Sequence, residues 1–343
     1  MSDAILLQAF QGTNKKIPVW FMRQAGRYLP QYRAIKEQHS LNEMFATPEL
    51  ATKVTLLPIE ALGVDAAILF ADILSLPSQM GFTITFEKEG PVIKNPINRA
   101  SDLSKIHNFD DLDYVAKTIQ LINHDLPEHI PLIGFAGSPF TVLTYLVEGG
   151  SAKQFTKTFD FAKTDSKAFH KLMSLLTENT INYLKLQQKA GIKVFQLFDT
   201  WGGILSEKEY EQWVLPYVRT IFQSVHLPSI YYLRNGSHLL SLMDETGAAF
   251  LSVCEKVEIG SPELRKTVHL GIQGNLHNEL LYEDEERLQL AVTDLLTRAH
   301  NHEKYIFNLS HGVFPDVDAG KLRSIVQLVH NSLRKPQVAP FVK

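Results

Sequence analysis

The segment Pro18-Val19-Trp20-Phe21-Met22-Arg23-Gln24-Ala25-Gly26-Arg27-Tyr28-Leu29-Pro30 runs apolar and then breaks into two arginines four positions apart. Guanidinium forks grip carboxylates and phosphates through paired hydrogen bonds, and they keep their charge at physiological pH. Two of them closing an apolar run, with a glycine between, suit a site for an anion. Other apolar runs also stop at residues able to do chemistry. Residues 66–70 lead to Ala71-Asp72, and residues 131–135 lead through Gly137-Ser138-Pro139-Phe140 to Tyr145. Residues 194–198 end in Asp199-Thr200-Trp201-Gly202-Gly203, residues 230–233 in Arg234-Asn235-Gly236, and residues 305–309 in Ser310-His311-Gly312. Taken singly, each has a plain structural role open to it. Asp72 suits a helix N-cap, Thr200 a turn, Tyr145 a core and His311 a hydrogen-bonded framework. Their joint placement after apolar runs is what favours a site.

The elements that must position them follow from periodicity. Eight short runs rich in β-branched, aromatic and aliphatic residues fall at 17–22, 66–70, 131–135, 194–198, 230–233, 250–253, 268–272 and 305–309. Most are apolar on both faces, as strands of a covered parallel sheet are. Helical patterns lie between them. Phe169, Leu172, Met173, Leu176, Tyr183 and Leu184 share one helical face, with Gly191 as terminator. Ser206 and Glu209 have capping-box spacing, and Ser261-Pro262 reads as a cap followed by proline at the first helical position. Leu322, Ile325, Val326 and Val329 form the stripe of a last helix. Alternating strand and helix predicts an α/β fold, specifically a (β/α)8 TIM barrel with its site at the C-terminal strand ends. It is read as a single catalytic domain over residues 1–343. The extra length lies between the early strands, where residues 82–86 followed by Glu89-Gly90-Pro91 predict an inserted hairpin. A doubly wound open sheet is the alternative.

Composition narrows the class. The chain has 343 residues, 45% hydrophobic and 21% charged, which is ordinary for a globular protein. A net charge of −3 gives no domain-wide basic surface for nucleic acid. One cysteine, Cys254, forbids an internal disulfide and fits a reducing compartment; it reads as a small core residue. The start Met1-Ser2-Asp3-Ala4-Ile5-Leu6-Leu7-Gln8 is not a signal peptide, and no apolar run approaches membrane-spanning length. The expectation is a cytoplasmic protein. Neither G-x-G-x-x-G nor a P-loop nor H-E-x-x-H occurs, and Pro127 breaks the apparent metal motif His124-Asp125-Leu126-Pro127-Glu128-His129.

The opening segment closely resembles the N-terminal signature of the uroporphyrinogen decarboxylase family. So does Gly134-Phe135-Ala136-Gly137-Ser138-Pro139-Phe140-Thr141-Val142-Leu143-Thr144-Tyr145-Leu146-Val147-Glu148-Gly149-Gly150. The shorter stretches Phe70-Ala71-Asp72-Ile73-Leu74, Phe198-Asp199-Thr200-Trp201-Gly202-Gly203, Gln273-Gly274-Asn275-Leu276 and Asn308-Leu309-Ser310-His311-Gly312 follow in the same order. The resemblance implies a single-domain barrel, usually a homodimer, in haem biosynthesis. It would convert uroporphyrinogen III to coproporphyrinogen III by four decarboxylations with no cofactor and no metal. It carries substrate binding to Arg23, Gln24, Ala25, Gly26, Arg27, Asp72, Tyr145, Thr200 and His311. Asp72, Arg23 and Arg27 are expected to carry the chemistry. Arginines suit a substrate bearing eight carboxylates, and one carboxylate suits its pyrrole N–H groups and the cation formed on ring protonation. A guanidinium is a poor general acid at neutral pH, so the arginines are read as carboxylate holders.

The chain departs from the family pattern twice. Cys254-Glu255 stands where Asp-Trp is usual, and His277-Asn278 where Asp-Pro is usual. Two other functions compete. A corrinoid-dependent methyltransferase of the same superfamily would need a Cys/His zinc site, which a single cysteine disfavours. A non-enzymatic tetrapyrrole-binding paralogue is suggested only by the two departures.

Overall fold

Seven parallel strands curl around a common core, each hydrogen-bonded to the next one along the chain. The structure, a computed structural model, describes residues 4–87, 90–109, 112–300 and 302–332. The strands are β1 (Ala67–Ile68), β4 (Leu132–Gly137), β5 (Val194–Asp199), β6 (Ser229–Leu233), β7 (Phe250–Ser252), β8 (Gly271–Gln273) and β9 (Tyr305–Ile306). A separate antiparallel hairpin, β2 (Ile84–Glu87) with β3 (Gly90–Ile93), is the predicted early insertion. Glu89, and residues 1–3 of the N-terminal segment, lie outside the described residues. Helices cover the outer face of the barrel, as expected for strands that are apolar on both sides.

The eighth stave is the run 17–22, and it differs from the sequence expectation. It is not a regular strand. It meets the end of β9 through the parallel bridge Val19 to Phe307. Phe307 N–H donates to Pro18 O at 2.9 Å and Trp20 N–H to Phe307 O at 3.4 Å, while Asp65 N–H on the β1 side donates to Val19 O at 2.8 Å. The reason for the irregularity is chemical. Pro18 has no N–H to offer a ladder. The Val19 N–H donates to the Asp65 carboxylate at 2.8 Å instead of to a main-chain carbonyl. The run still lies between the two edges of the sheet and links them.

The predicted seventh run, 268–272, is shifted. Val268 ends the helix Pro262–Thr267, and the His269 and Leu270 amides donate to Asp244 Oδ1, so pairing begins only at Gly271. Other readings match closely. The helix Ser166–Ala190 buries the predicted stripe and ends at Gly191, and the helix Ala319–Asn331 buries Leu322, Ile325, Val326 and Val329. The capping box at Ser206 and Glu209 and the cap at Ser261 with Pro262 are both present. At the N-terminal end of the barrel, Phe10 from the helix Ile5–Gln11 packs its ring 4.6 Å from that of Phe250. The interior carries one polar thread among the aromatics. Trp20 Nε1–H donates to Gln273 Oε1, and Gln273 Nε2–H donates to Gln196 Oε1 and Ser252 Oγ. It ties the first run to β8, β5 and β7, across the barrel.

Candidate active site

The first arginine owes its position to an unusual backbone. Arg23 has φ 59°, in the left-handed region that side-chain-bearing residues rarely adopt. Gln24 holds that turn. Its N–H donates to Phe21 O, its Oε1 accepts from Phe21 N–H, its Nε2–H donates to Ala66 O, and its own carbonyl accepts from the Tyr28 hydroxyl. Gln24 is fully buried, and these bonds fall on its own four polar groups. It therefore builds the site from behind rather than offering its side chain to a ligand. Met22 is clamped from the far side, donating to Asn308 Oδ1 and accepting from Val313 N–H. The Arg23 side chain then passes over Gly312, where a Cβ would collide with its Cδ.

Ala25 and Gly26 are half-buried in the turn, and Arg23 and Arg27 on either side of them are both exposed. Arg33 donates to the carbonyls of Arg27 and Tyr28 and fixes this outer loop. The Arg27 charge is felt by Tyr32. The electrostatic couplings that join the other site residues run instead through Arg23. Neither Arg23 nor Arg27 forms an ion pair with a carboxylate among the described residues.

Asp72 follows β1 and does two things at once. Its Oδ1 accepts from Leu74 N–H at 2.8 Å, a bond within the turn before the helix Ser75–Ser78; Leu74, not Asp72, is the N-cap of that helix. Its Oδ2 has no partner among the described residues. Burial pushes the carboxyl up from 3.8 to about 6, against the Leu74 amide and the Arg23 charge, which both favour the carboxylate. Asp72 is thus ionised at neutral pH with one oxygen free, beside a guanidinium. Tyr145 lies in the helix Pro139–Glu148. Burial and the nearby Asp72 charge raise its pKa, and Arg23 opposes them.

His311 stands after β9. Burial and the charges of Arg23 and Arg234 push its pKa down from 6.5 to about 4, so the ring is neutral at pH 7. Thr200 is half-buried beside Trp201, whose ring lies 6.0 Å from that of Tyr145. The structure thus gathers Arg23, Asp72, Tyr145 and His311 into one electrostatic cluster at the C-terminal ends of the strands. Thr200 sits at the same rim by its place after β5, while the Arg27 charge couples to Tyr32 and not to Asp72, Tyr145 or His311.

Sequence reasoning placed Asp199 at a strand end but gave it no role, and it organises one side of this rim. Asp199, fully buried at the end of β5, accepts from Ser138 Oγ, Thr141 Oγ1, the Gly202 amide and the Tyr231 hydroxyl. Burial still raises its pKa. Its place next to Thr200, ahead of two glycines, was the only sequence signal. Of the two departures, Cys254 is buried and Glu255 is exposed, its charge reaching Tyr232 and His311. Asn278 is buried and accepts from Ser310 Oγ at 3.4 Å, beneath the His311 loop. Among the described residues, no group of three or more His, Cys, Asp or Glu side chains is placed to hold a metal ion. No helix among them is long and apolar enough to cross a membrane.

The family model for uroporphyrinogen decarboxylase matches residues 1–332. A uroporphyrinogen decarboxylase of Thermodesulfovibrio yellowstonii is 42% identical over 91% of this chain and 93% of its own length. Another, from Carboxydothermus hydrogenoformans, is 36% identical over 96% of each. The chain belongs to the uroporphyrinogen decarboxylase family. The barrel also superposes on a methyltransferase from Methanosarcina mazei with TM-score 0.79, covering 96% of this chain and 98% of that one. At 18% identity that likeness shows the fold alone. For a uroporphyrinogen decarboxylase, the cluster around Asp72 lies at the end of the barrel where (β/α)8 enzymes do their chemistry.

Proposed function

We propose that this carboxy-lyase of the uroporphyrinogen decarboxylase family removes the four acetate carboxyls of uroporphyrinogen III at the rim around Asp72, giving coproporphyrinogen III. The observation that carries this reading is the Asp72 carboxylate: ionised at neutral pH, one oxygen bonded to Leu74 N–H and the other unpartnered, with Arg23 beside it. Pyrrole N–H groups donate to the free oxygen, which centres the macrocycle. A proton then adds to a ring carbon and makes the ring cationic. The C–CO2 bond breaks, its electron pair neutralises the cation, and CO2 leaves. A proton on the resulting methylene carbon gives the methyl group, and the ring carbon gives its own proton back. Each arm consumes one proton net. A fixed carboxylate stabilises the cation as it forms, and no cofactor is called for.

Arg23 and Arg27 hold carboxylate arms, Arg23 within the Asp72 cluster and Arg27 outside it. Tyr145, Thr200 and neutral His311 line the seat as hydrogen-bonding groups, while Gln24, Ala25 and Gly26 form the turn that presents the arginines. The test is anaerobic incubation with uroporphyrinogen III, following the hepta- through tetracarboxylate products. Stepwise loss of four carboxyls is the expected result; no product at all would overturn the reading. The same reading makes the chain one catalytic domain, since one continuous apolar core joins the barrel and its helices. It also makes the enzyme a cytoplasmic homodimer, the assembly its family resemblance implies; sedimentation at the mass of two 38.8 kDa chains is the check.

A further inference from the structure

Arg234 leaves β6, and β6 is the stave opposite the first run. Counting round the barrel, the run 17–22 is followed by β1, β4, β5 and then β6, halfway round an eight-stave ring. Arg23 and Arg234 therefore stand on opposite sides of the mouth. Their charges nevertheless meet, because His311 and Tyr232 both feel Arg23 and Arg234 together. The Arg234 guanidinium lies 6.0 Å over the Trp201 ring, and it has no carboxylate partner among the described residues. Trp201 after β5 flanks it on one side, and exposed Glu255 after β7 on the other.

The loops around Arg234 are built to hold it there. Its N–H donates to Asp199 O at 3.0 Å, so it hangs from the same aspartate that shapes the turn after β5. Asn235 next to it has φ 57°. The Arg234 carbonyl fills the space a Cβ on Gly203 would need, so only glycine lets the Trp201 loop close against it. A guanidinium held over an aromatic face is pre-organised and leaves its N–H edge free for a carboxylate.

We propose that Arg234 is a third carboxylate-holding residue, gripping a peripheral arm of the macrocycle across the mouth from Arg23, on the Trp201 side away from Glu255. The proposal rests on the uroporphyrinogen reading of the same site. Two opposed grips with Asp72 at the centre fix the plane of a ring whose carboxylates lie all round its edge; grips on one side alone leave it free to tilt.

The experiment compares wild type, Arg234→Gln and Arg234→Lys by fluorescence titration with the oxidised octacarboxylate, uroporphyrin, and by turnover of uroporphyrinogen III. Losing one charge-assisted bidentate contact should raise both Kd and KM about tenfold, with kcat within about threefold. Arg234→Lys should recover part of the binding, because it keeps the charge but loses the fork. Unchanged Kd and KM in Arg234→Gln overturn the proposal, and so does a fall in kcat with Kd intact. A lowered Tm in Arg234→Gln moves the decision to Arg234→Lys: a Kd between those of wild type and Arg234→Gln at wild-type Tm supports the grip, and a Kd as weak as in Arg234→Gln overturns it. Wild type that binds uroporphyrin but releases no CO2 overturns the proposed reaction and leaves the Kd comparison to decide Arg234. Wild type that does neither overturns both.

Discussion

Asp72 shows two pulls on one side chain. Burial favours the neutral acid, while the Leu74 amide and Arg23 favour the carboxylate, and the balance falls at about 6. Since kcat/KM reports the free enzyme, it should rise with pH through about 6 and level off above. A profile flat from pH 5 to 8 removes Asp72 from the chemistry. Asp72→Asn keeps the Leu74 bond and the shape but not the charge, so turnover should fall by about 10²–10³-fold, the usual effect of removing one preorganised electrostatic group. Stability should move the other way. A carboxyl raised from 3.8 to about 6 contributes stability present in full below 3.8 and lost as pH rises through about 6. At pH 8 the buried charge is a cost, so Asp72→Asn should exceed wild type by on the order of 2 kcal/mol, a margin that fades by pH 4. Melting at both pH values checks it. The residue types of this site were readable from strand ends, because acids, cations and hydroxyls stand out after apolar runs. The division of labour was not. Nothing in the sequence says that Gln24 spends its four polar groups inward, or that Asp199 carries a rim. The Asp199 role depends on Ser138, Thr141 and Tyr231, distant along the chain, and the Gln24 arrangement on Ala66 as well as on its near neighbours Phe21 and Tyr28.

At the scale of elements, the first run holds Arg23 in place through contacts that are not a ladder. Asp65 is the fastener: its Oδ2 accepts from Val19 N–H at 2.8 Å and pairs with His330 Nε2 at 2.9 Å. Asp65→Ala leaves a buried amide and an imidazole without their acceptor, which should cost about 2–4 kcal/mol. Arg23 sits four residues downstream of Val19, so kcat/KM should fall further than kcat. Asp65→Asn, which keeps a carbonyl acceptor for the amide, should recover most of both. Chemical denaturation and turnover of the two variants read this directly, and wild-type stability in Asp65→Ala would show the seam to be held elsewhere. The alternation of strand and helix was readable because each parallel strand is buried on both faces and each helix on one. Boundaries were not. The run 268–272 is apolar enough to be a strand, yet Asp244 takes two of its amides before pairing begins. Proline and a side-chain acceptor did the same to the run 17–22.

The whole molecule sets where its charge is available. The net charge is −3, which by itself repels a polycarboxylate. Several cations of the outer surface are paired: Lys94 with Glu87, Lys117 with Glu49, Arg219 with Glu245, Arg287 with Glu283 and Arg298 with Asp294. Arg23, Arg27 and Arg234 are not paired among the described residues, so an anion approaching the mouth meets uncompensated positive charge there. Such steering acts on encounter and weakens as salt shortens the screening length from about 10 Å at 0.1 M to about 3 Å at 1 M. Raising ionic strength should therefore lower kcat/KM for uroporphyrinogen by about tenfold while kcat stays nearly constant. The reaction itself supplies the control, since every decarboxylation removes one charged arm. Heptacarboxylate to pentacarboxylate intermediates, presented as separate substrates, should show successively shallower salt slopes. Arg27→Gln should flatten all of them, because Arg27 is exposed and lies outside the Asp72 cluster. Equal slopes for octa- and pentacarboxylate substrates would mean that capture depends on one local contact and not on the field of the mouth.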